Sequence, residues 1–209
     1  MRLVFISDTH EQQEKVTIPP CDILIHCGDL TNRGDYNPTC EALSWLHRQP
    51  ADHVVLIAGN HDWIFERTPT VGKEIVSRTR VHYLENGRLE LCGFKFWGSP
   101  YTPRLMDWAF GYDRAEVSTH WDLIPGDTDV LITHGPPQGI QDTIVPFPPV
   151  HLGCWDLIDK VLEIKPKVHA FGHVHGGYGQ REYKGIKFFN ASLLDEAYRV
   201  RNAPHIADL

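Results

Sequence analysis

Asp8 and His10 in Asp8-Thr9-His10, Asp29 in Gly28-Asp29, Asn60-His61-Asp62, His134-Gly135, and His173 and His175 in His173-Val174-His175 supply oxygen and imidazole donors at five points along the chain. Carboxylate, amide oxygen and imidazole are hard or borderline ligands with no thiolate among them. The set therefore suits Mn²⁺ or iron, with Zn²⁺ also compatible, and does not resemble a sulfur-rich structural zinc site. The seven donors Asp8, His10, Asp29, Asn60, His134, His173 and His175 are more than one cation takes, whereas two cations sharing the Asp29 carboxylate would use them all. Two divalent or mixed-valence cations held this way would lower the pKa of a water between them and polarise an oxygen of a bound substrate. They would also disperse negative charge that builds on that substrate during attack. His61, next to Asn60, would face the bound substrate and either offset developing charge or protonate a departing alkoxide. Asp62 would orient that imidazole, with helix capping as its structural alternative.

Donors so far apart need elements that all end in one place. Residues 54–57 are apolar without alternation, the pattern of a parallel strand buried on both faces, and Gly59 lets the chain turn where the strand stops. The same arrangement recurs at residues 3–6 before Asp8, 22–26 before Asp29, 129–133 before His134 and 168–171 before His173. Sites in open α/β sheets lie outside the carboxyl ends of strands, so these five ends predict one shared polar cluster. Residues 39–48 predict a helix with Ala42, Leu43, Trp45 and Leu46 on its apolar face, and residues 151–164 one packed through Leu152, Trp155, Ile158, Val161 and Leu162. Shorter helices are expected at 71–76 and 113–123. From 81 to 97 the period falls near two, and Asn86-Gly87 in its middle predicts a hairpin turn and hence a mixed sheet. The loop after His134 as far as Pro149 is rich in Pro and Gly and is expected to be a rigid surface excursion. A further strand is expected at 186–189, and residues 202–209 are expected to cover an edge or fray. Trp97, Tyr101, Trp108, Phe110, Tyr112 and Trp121 crowd one irregular stretch, either as core or as a wall that stacks on a substrate ring.

With 209 residues, 42% of them hydrophobic and 22% charged, the chain has the make-up of a soluble globular protein with one substantial core, and a single domain over 1–209 is expected. A net charge of -7 argues against extended nucleic-acid binding, which draws on many Lys and Arg contacts to phosphate. No segment approaches the roughly 20 apolar residues needed to cross a bilayer, and Asp8 interrupts the opening apolar run before it resembles a signal segment. Neither a membrane nor a secretory route is expected. Five cysteines with no CxxC pair suit a reducing cytoplasm. Oligomeric state is left open.

In the order DTH, GD, GNHD, HG, GHVH, these motifs are similar to those of the calcineurin-like metallophosphoesterases, and the similarity runs over nearly the full chain. Within that family HCGDLTNRG, GNHD, GSP, THGPPQGIQD and FGHVHGGYG resemble the branch that holds the animal metallophosphoesterase-domain proteins and the class III cyclic-nucleotide phosphodiesterases. The resemblance implies an α/β fold, a four-layer α/β/β/α sandwich with two mixed β-sheets. It implies one metal on Asp8, His10 and His175, a second on Asn60, His134 and His173, and Asp29 bridging them. It further implies a phosphodiesterase acting on small phosphodiesters such as 2',3'- or 3',5'-cyclic nucleotides. A phosphomonoesterase or protein phosphatase would use the same metal pair, and a non-catalytic scaffold is the reading from a different class. Some animal members lack one histidine of the last motif and are poor enzymes; here both His173 and His175 are present.

Overall fold

The computed structural model describes residues 1–144 and 149–209. Strands β1 (Arg2–Ile6), β2 (Cys21–His26), β3 (Ala51–Leu56) and β4 (Val81–Tyr83) lie side by side in parallel. Helix α1 (Tyr36–His47) links β2 to β3, while α2 (Trp63–Arg67) and α3 (Pro69–Ser77) link β3 to β4. The chain then crosses to a second sheet, where β5 (Gly87–Leu91) pairs antiparallel with β6 (Phe94–Ser99). Helix α4 (Arg114–Trp121) leads to β7 (Val130–Thr133), and α5 (Trp155–Ile164) leads to β8 (Val168–Phe171). Strands β6, β7 and β8 are parallel neighbours; β9 (Gly179–Tyr183) forms the far edge, antiparallel to β10 (Ile186–Asn190), which lies parallel to β8. Finally β11 (His205–Asp208) returns to the first sheet, antiparallel to β1. Both sheets are thus mixed: the first is parallel except for its β11 edge, and the second has a parallel centre with an antiparallel strand at each edge.

The lack of hydrophobic alternation in the central strands follows from burial on both faces. In β1, Leu3 and Phe5 meet Ile23, Ile25, Val55, Val130, Ile132 and Phe189 between the sheets. Val4 and Ile6 face the other way, into a layer built with Ala42, Leu43 and Leu46 of α1 and Ile75 and Val76 of α3. On the second sheet Leu131, Phe171 and Phe188 pack outward against Val117 and Trp121 of α4 and Leu157, Ile158 and Val161 of α5. The layers therefore run α/β/β/α.

Three expectations change. The hairpin turn is Cys92-Gly93, both residues with positive φ (52° and 77°) as a two-residue hairpin loop requires, and Asn86 (φ 46°) instead marks the crossing from the first sheet to the second. Helix α5 begins at Trp155, not 151, because residues Val150–His151 pair with Thr143–Ile144 as a short antiparallel ladder. Trp155 then falls on the first helical turn and is 63% exposed, outside the packed face. Of the two outcomes expected for the last residues, covering an edge is the one found: they pair in register with β1. Part of the excursion expected before Pro149, at 145–148, lies outside the described residues.

Candidate metal centre

Each candidate donor leaves the carboxyl end of a strand, and the two sheets meet there. Ser7 forms a parallel bridge with Ser192, and the Leu193 amide donates to the Ser7 carbonyl at 3.0 Å. Past these ends the backbone coils tightly. Asp8, His10, Asp29 and His173 all have left-handed φ, between 41° and 67°, a conformation non-glycine residues rarely adopt unless their surroundings impose it. Cross-loop hydrogen bonds impose it here. The Asp8 amide donates to Gly28 O (2.9 Å) and the His10 amide to Asp29 O (3.2 Å). His26, fully buried, accepts the Gly28 amide at Nδ1 (3.2 Å) and meets Thr9 Oγ1 at Nε2 (3.1 Å), tying these two loops together. Gly172 and Gly59 admit the donors: a Cβ on the first would strike Ser7 and Asp8, and one on the second would strike Asp29 and His134.

The side chains fall into three overlapping groups whose ligating atoms lie within 4.8 Å of one another: Asp8, His10 and His175; His10, Asp29 and His61; and Asp29, His134 and His173. Asn60 Oδ1 sits 2.9 Å from His134 Nε2 and 2.7 Å from His173 Nδ1. The tautomers of two histidines are fixed from behind. His134 Nδ1–H donates to Cys27 O at 2.8 Å and His175 Nδ1–H to Asp195 O at 3.1 Å. Their Nε2 atoms then point at carboxylates, His134 at Asp29 (3.3 Å) and His175 at Asp8 (3.4 Å), the arrangement of an imidazole held ready to ligate. Ser192 Oγ (2.8 Å) and the His173 amide (3.0 Å) hold Asp8 Oδ2 in turn.

Burial opposes charge throughout this cluster, yet ion pairing overcomes it. Asp8 is held well below the usual carboxylate range, its burial outweighed by His175, and Asp29 likewise by His134. Burial would lower His134 and His175, but Asp29 and Asp8 lift each to about 9. Burial brings His173 down to about 4, helped by the charge on His134. Without cations the site is a pair of carboxylate–imidazolium contacts, and cation binding must displace those protons. His10 tests whether cations fit. Both its ring nitrogens are buried without a hydrogen-bond partner, a costly state that ligation through one of them removes. With an all-oxygen and nitrogen donor set around it, the cluster suits a pair of divalent cations.

The calcineurin-like phosphoesterase family model matches residues 1–177. The chain belongs to the calcineurin-like phosphoesterase family. It is a metal-dependent phosphoric ester hydrolase. Human Metallophosphoesterase domain-containing protein 1 is 34% identical over an alignment covering 100% of this chain and 71% of that protein. A UPF0046 protein of Caenorhabditis elegans is 35% identical, over 98% of this chain and 73% of its own. TT1561 of Thermus thermophilus shares the fold, with a TM-score of 0.64 over 99% of this chain and 98% of its own at 11% identity.

In this phosphoesterase the seven expected donors converge and the aromatic stretch divides between its two expected places, but Asp62 does not behave as a sequence reading suggests. Asp62 does not reach the His61 ring. Its carboxylate accepts the amides of Gly59 (2.9 Å), Leu30 (3.2 Å) and Thr31 (3.1 Å) and the Thr31 hydroxyl (2.9 Å), so it ties the Asp29 loop to the Asn60 loop. It makes no side-chain cap to α2 either. His61 Nδ1–H instead donates to the Asn32 carbonyl at 2.8 Å. Trp97, Phe110 and Trp121 are buried in the core, while Trp108 lies against His61 with ring centroids 4.1 Å apart. Ser192, whose amide donates to Asn190 Oδ1 at 3.1 Å, stands just past a sixth strand end, that of β10, and its signal went unread. Tyr198, with ring centroids 4.8 Å from His10 and 5.1 Å from His175, carried none.

Proposed function

We propose that this phosphoesterase is a phosphodiesterase of small diesters, with cyclic nucleotides as its candidate substrates. One observation carries the reading. A cavity of about 190 Å³ opens over Asp29, Asn60, His61, His173 and His175, and its other described lining residues include no lysine or arginine. Arg104 is turned to Asp113 (3.3 Å) and Arg181 to the Gly139 carbonyl (3.2 Å). A monoester dianion gains from extra cationic side chains around its terminal oxygens, whereas a diester carries a single negative charge that a metal pair and one histidine can meet.

In this reading Asp8, His10 and His175 would hold one cation and Asn60, His134 and His173 the other, with Asp29 shared between them. Mn²⁺ or iron is the favoured occupant. Bound there, the cations supply Lewis acidity at phosphorus and lower the pKa of water. The chain's own residues do the rest. His61, held at Nδ1 by the Asn32 carbonyl, turns its other ring nitrogen to the cavity and delivers a proton to the departing oxygen. The carbonyls of Cys27 and Asp195 keep His134 and His175 in the tautomer that offers Nε2. Asp62 fixes the spacing of the loops bearing Asp29 and Asn60. Among the described residues no helix is long and apolar enough to cross a membrane. All five cysteines are free, which fits a reducing cytoplasm.

Hydrolysis of bis-p-nitrophenyl phosphate, p-nitrophenyl phosphate and 2',3'- and 3',5'-cyclic nucleotides, with Mn²⁺ and after chelation, tests the reading. Metal-dependent preference for the diesters is expected; a clear preference for the monoester overturns it.

A further inference from the structure

The mouth of the cavity carries aromatic rings that the proposed chemistry does not use. Trp108 lies 4.1 Å from His61, His61 lies 4.7 Å from His10, and His10 lies 4.8 Å from Tyr198, all between ring centroids. This run of rings ends at each side in an aromatic residue lining the same cavity. Beside Trp108 the side chains of Leu105 and Met106 are 56% and 59% exposed, and Tyr198 is 45% exposed, so apolar surface at the mouth stands open.

Tyr198 does not reach this position by default. Its φ is 56°, a left-handed conformation that a bulky residue avoids. Asp195 enforces it. The Asp195 carboxylate accepts the amides of Ala197 and Arg199 and Arg199 Nε, each at 2.9 Å, and its carbonyl accepts the Tyr198 amide at 2.8 Å. The same carbonyl takes His175 Nδ1–H, so the turn that presents the tyrosine also orients a candidate metal ligand. Gln12 Nε2 closes the turn on the Tyr198 carbonyl at 2.7 Å. Trp108 is held with equal care: the Ala109 amide donates to the carbonyl of Asn60 (3.1 Å) and the Phe110 amide to Glu66 (2.7 Å).

We propose that Tyr198 and Trp108 form a binding site for a flat ring on the substrate, an aryl group or a nucleobase, and that Tyr198 sets the preference for ring-bearing over aliphatic esters. Aromatic faces accept any planar π-system, and stacking rewards the ring without requiring particular hydrogen bonds. The proposal rests on the reading of this cavity as the phosphoester site.

Phosphonates test it without turnover. Phenylphosphonate and methylphosphonate are titrated calorimetrically into the Mn²⁺-loaded protein and into Tyr198→Ala, Tyr198→Leu and Tyr198→Phe, with metal content measured for each. The unaltered protein is expected to favour the phenyl ligand about tenfold, the Ala and Leu variants about twofold, and the Phe variant to keep the preference. A phenyl preference that survives in Tyr198→Leu, or is missing from the unaltered protein, overturns the proposal. So does a Tyr198→Ala variant that loses its metals while Tyr198→Leu keeps both metals and preference, since the tyrosine then only covers His10 and His175. A failure of the diester reading shows separately, as monoester preference in the hydrolysis panel, and leaves the phosphonate ratio to be read on its own.

Discussion

On the proposed function, Asp29 and His61 separate the two tasks of the cluster, holding cations and moving a proton. Asp29 belongs to two of the three donor groups, and its Oδ1 also accepts the His61 amide at 2.8 Å. Asp29→Ala is expected to deplete both cations and to lower turnover at least about 100-fold, a loss beyond that of removing an outer partner of a ligand. Metal analysis of the dialysed variant checks this, and unchanged occupancy would show that Asp29 bridges nothing. His61→Ala should keep its metals and lose roughly 100-fold or more in kcat. That loss should shrink for p-nitrophenyl esters, whose leaving group departs without a proton, relative to cyclic nucleotides, whose alkoxide does not. An equal loss on both substrates would reassign His61 to phosphate binding.

Strand ends carry these residues, and two substitutions probe the elements that hold them. Gly172 closes β8 against Ser7 and Asp8 of the first sheet, so Gly172→Ala should push Asp8 aside and weaken metal binding about 10-fold or more while the fold persists, as titration with Mn²⁺ would show. His169 lies inside β8, fully buried beside Phe171 and Phe188, its Nε2–H donating to Thr133 Oγ1 at 2.8 Å. Burial pushes it from 6.5 down to about 3. Below pH 6.5 the unfolded chain takes a proton that the folded one refuses. Its contribution is therefore intact above that pH and lost as pH falls toward 3, at about 1.4 kcal/mol per unit. His169→Gln should flatten the fall in chelator-treated protein by about 2 kcal/mol between pH 7 and 5, read from urea midpoints. The central strands were legible because burial on both faces leaves unbroken apolar runs, and the donors because they stand where those runs stop. The hairpin was misread because Asn86-Gly87 has the local chemistry of a tight turn while the tertiary crossing needs the chain there. Asp62 was misread because spacing cannot tell which way a carboxylate between two loops will face. Tyr198 escaped notice because its place depends on a turn built by Asp195, with no motif around it.

The whole molecule puts its candidate metal donors across the seam between two sheets, so that on the proposed function metal binding and sheet packing act on one equilibrium. Asp8, His10, Asp29 and Asn60 come from the first sheet, His134, His173 and His175 from the second. The seam has its own apolar filling, with Phe5 stacked on Phe189 at 5.0 Å, and β11 returns to pair with β1 while His205 Nε2–H donates to the Asn190 carbonyl of β10 at 3.1 Å. In the metal-free site the contacts of His134 with Asp29 and His175 with Asp8 still join donors across the cleft, and both pairs span the sheets. Removing the cations should therefore loosen the protein without unfolding it. A ligand that binds only the folded state at 100 times its Kd adds about 2.7 kcal/mol, so two cations add about 5 kcal/mol. For a chain of this size that is roughly 10–20 °C in Tm. Calorimetry of the Mn²⁺-loaded and chelated protein should show that drop, with the far-ultraviolet circular dichroism of the chelated form retained at 25 °C. Loss of that signal on chelation would mean that the cations, and not the core between the sheets, hold the sandwich together; an unchanged Tm would mean that the cluster binds them too weakly to serve as a resident metal centre.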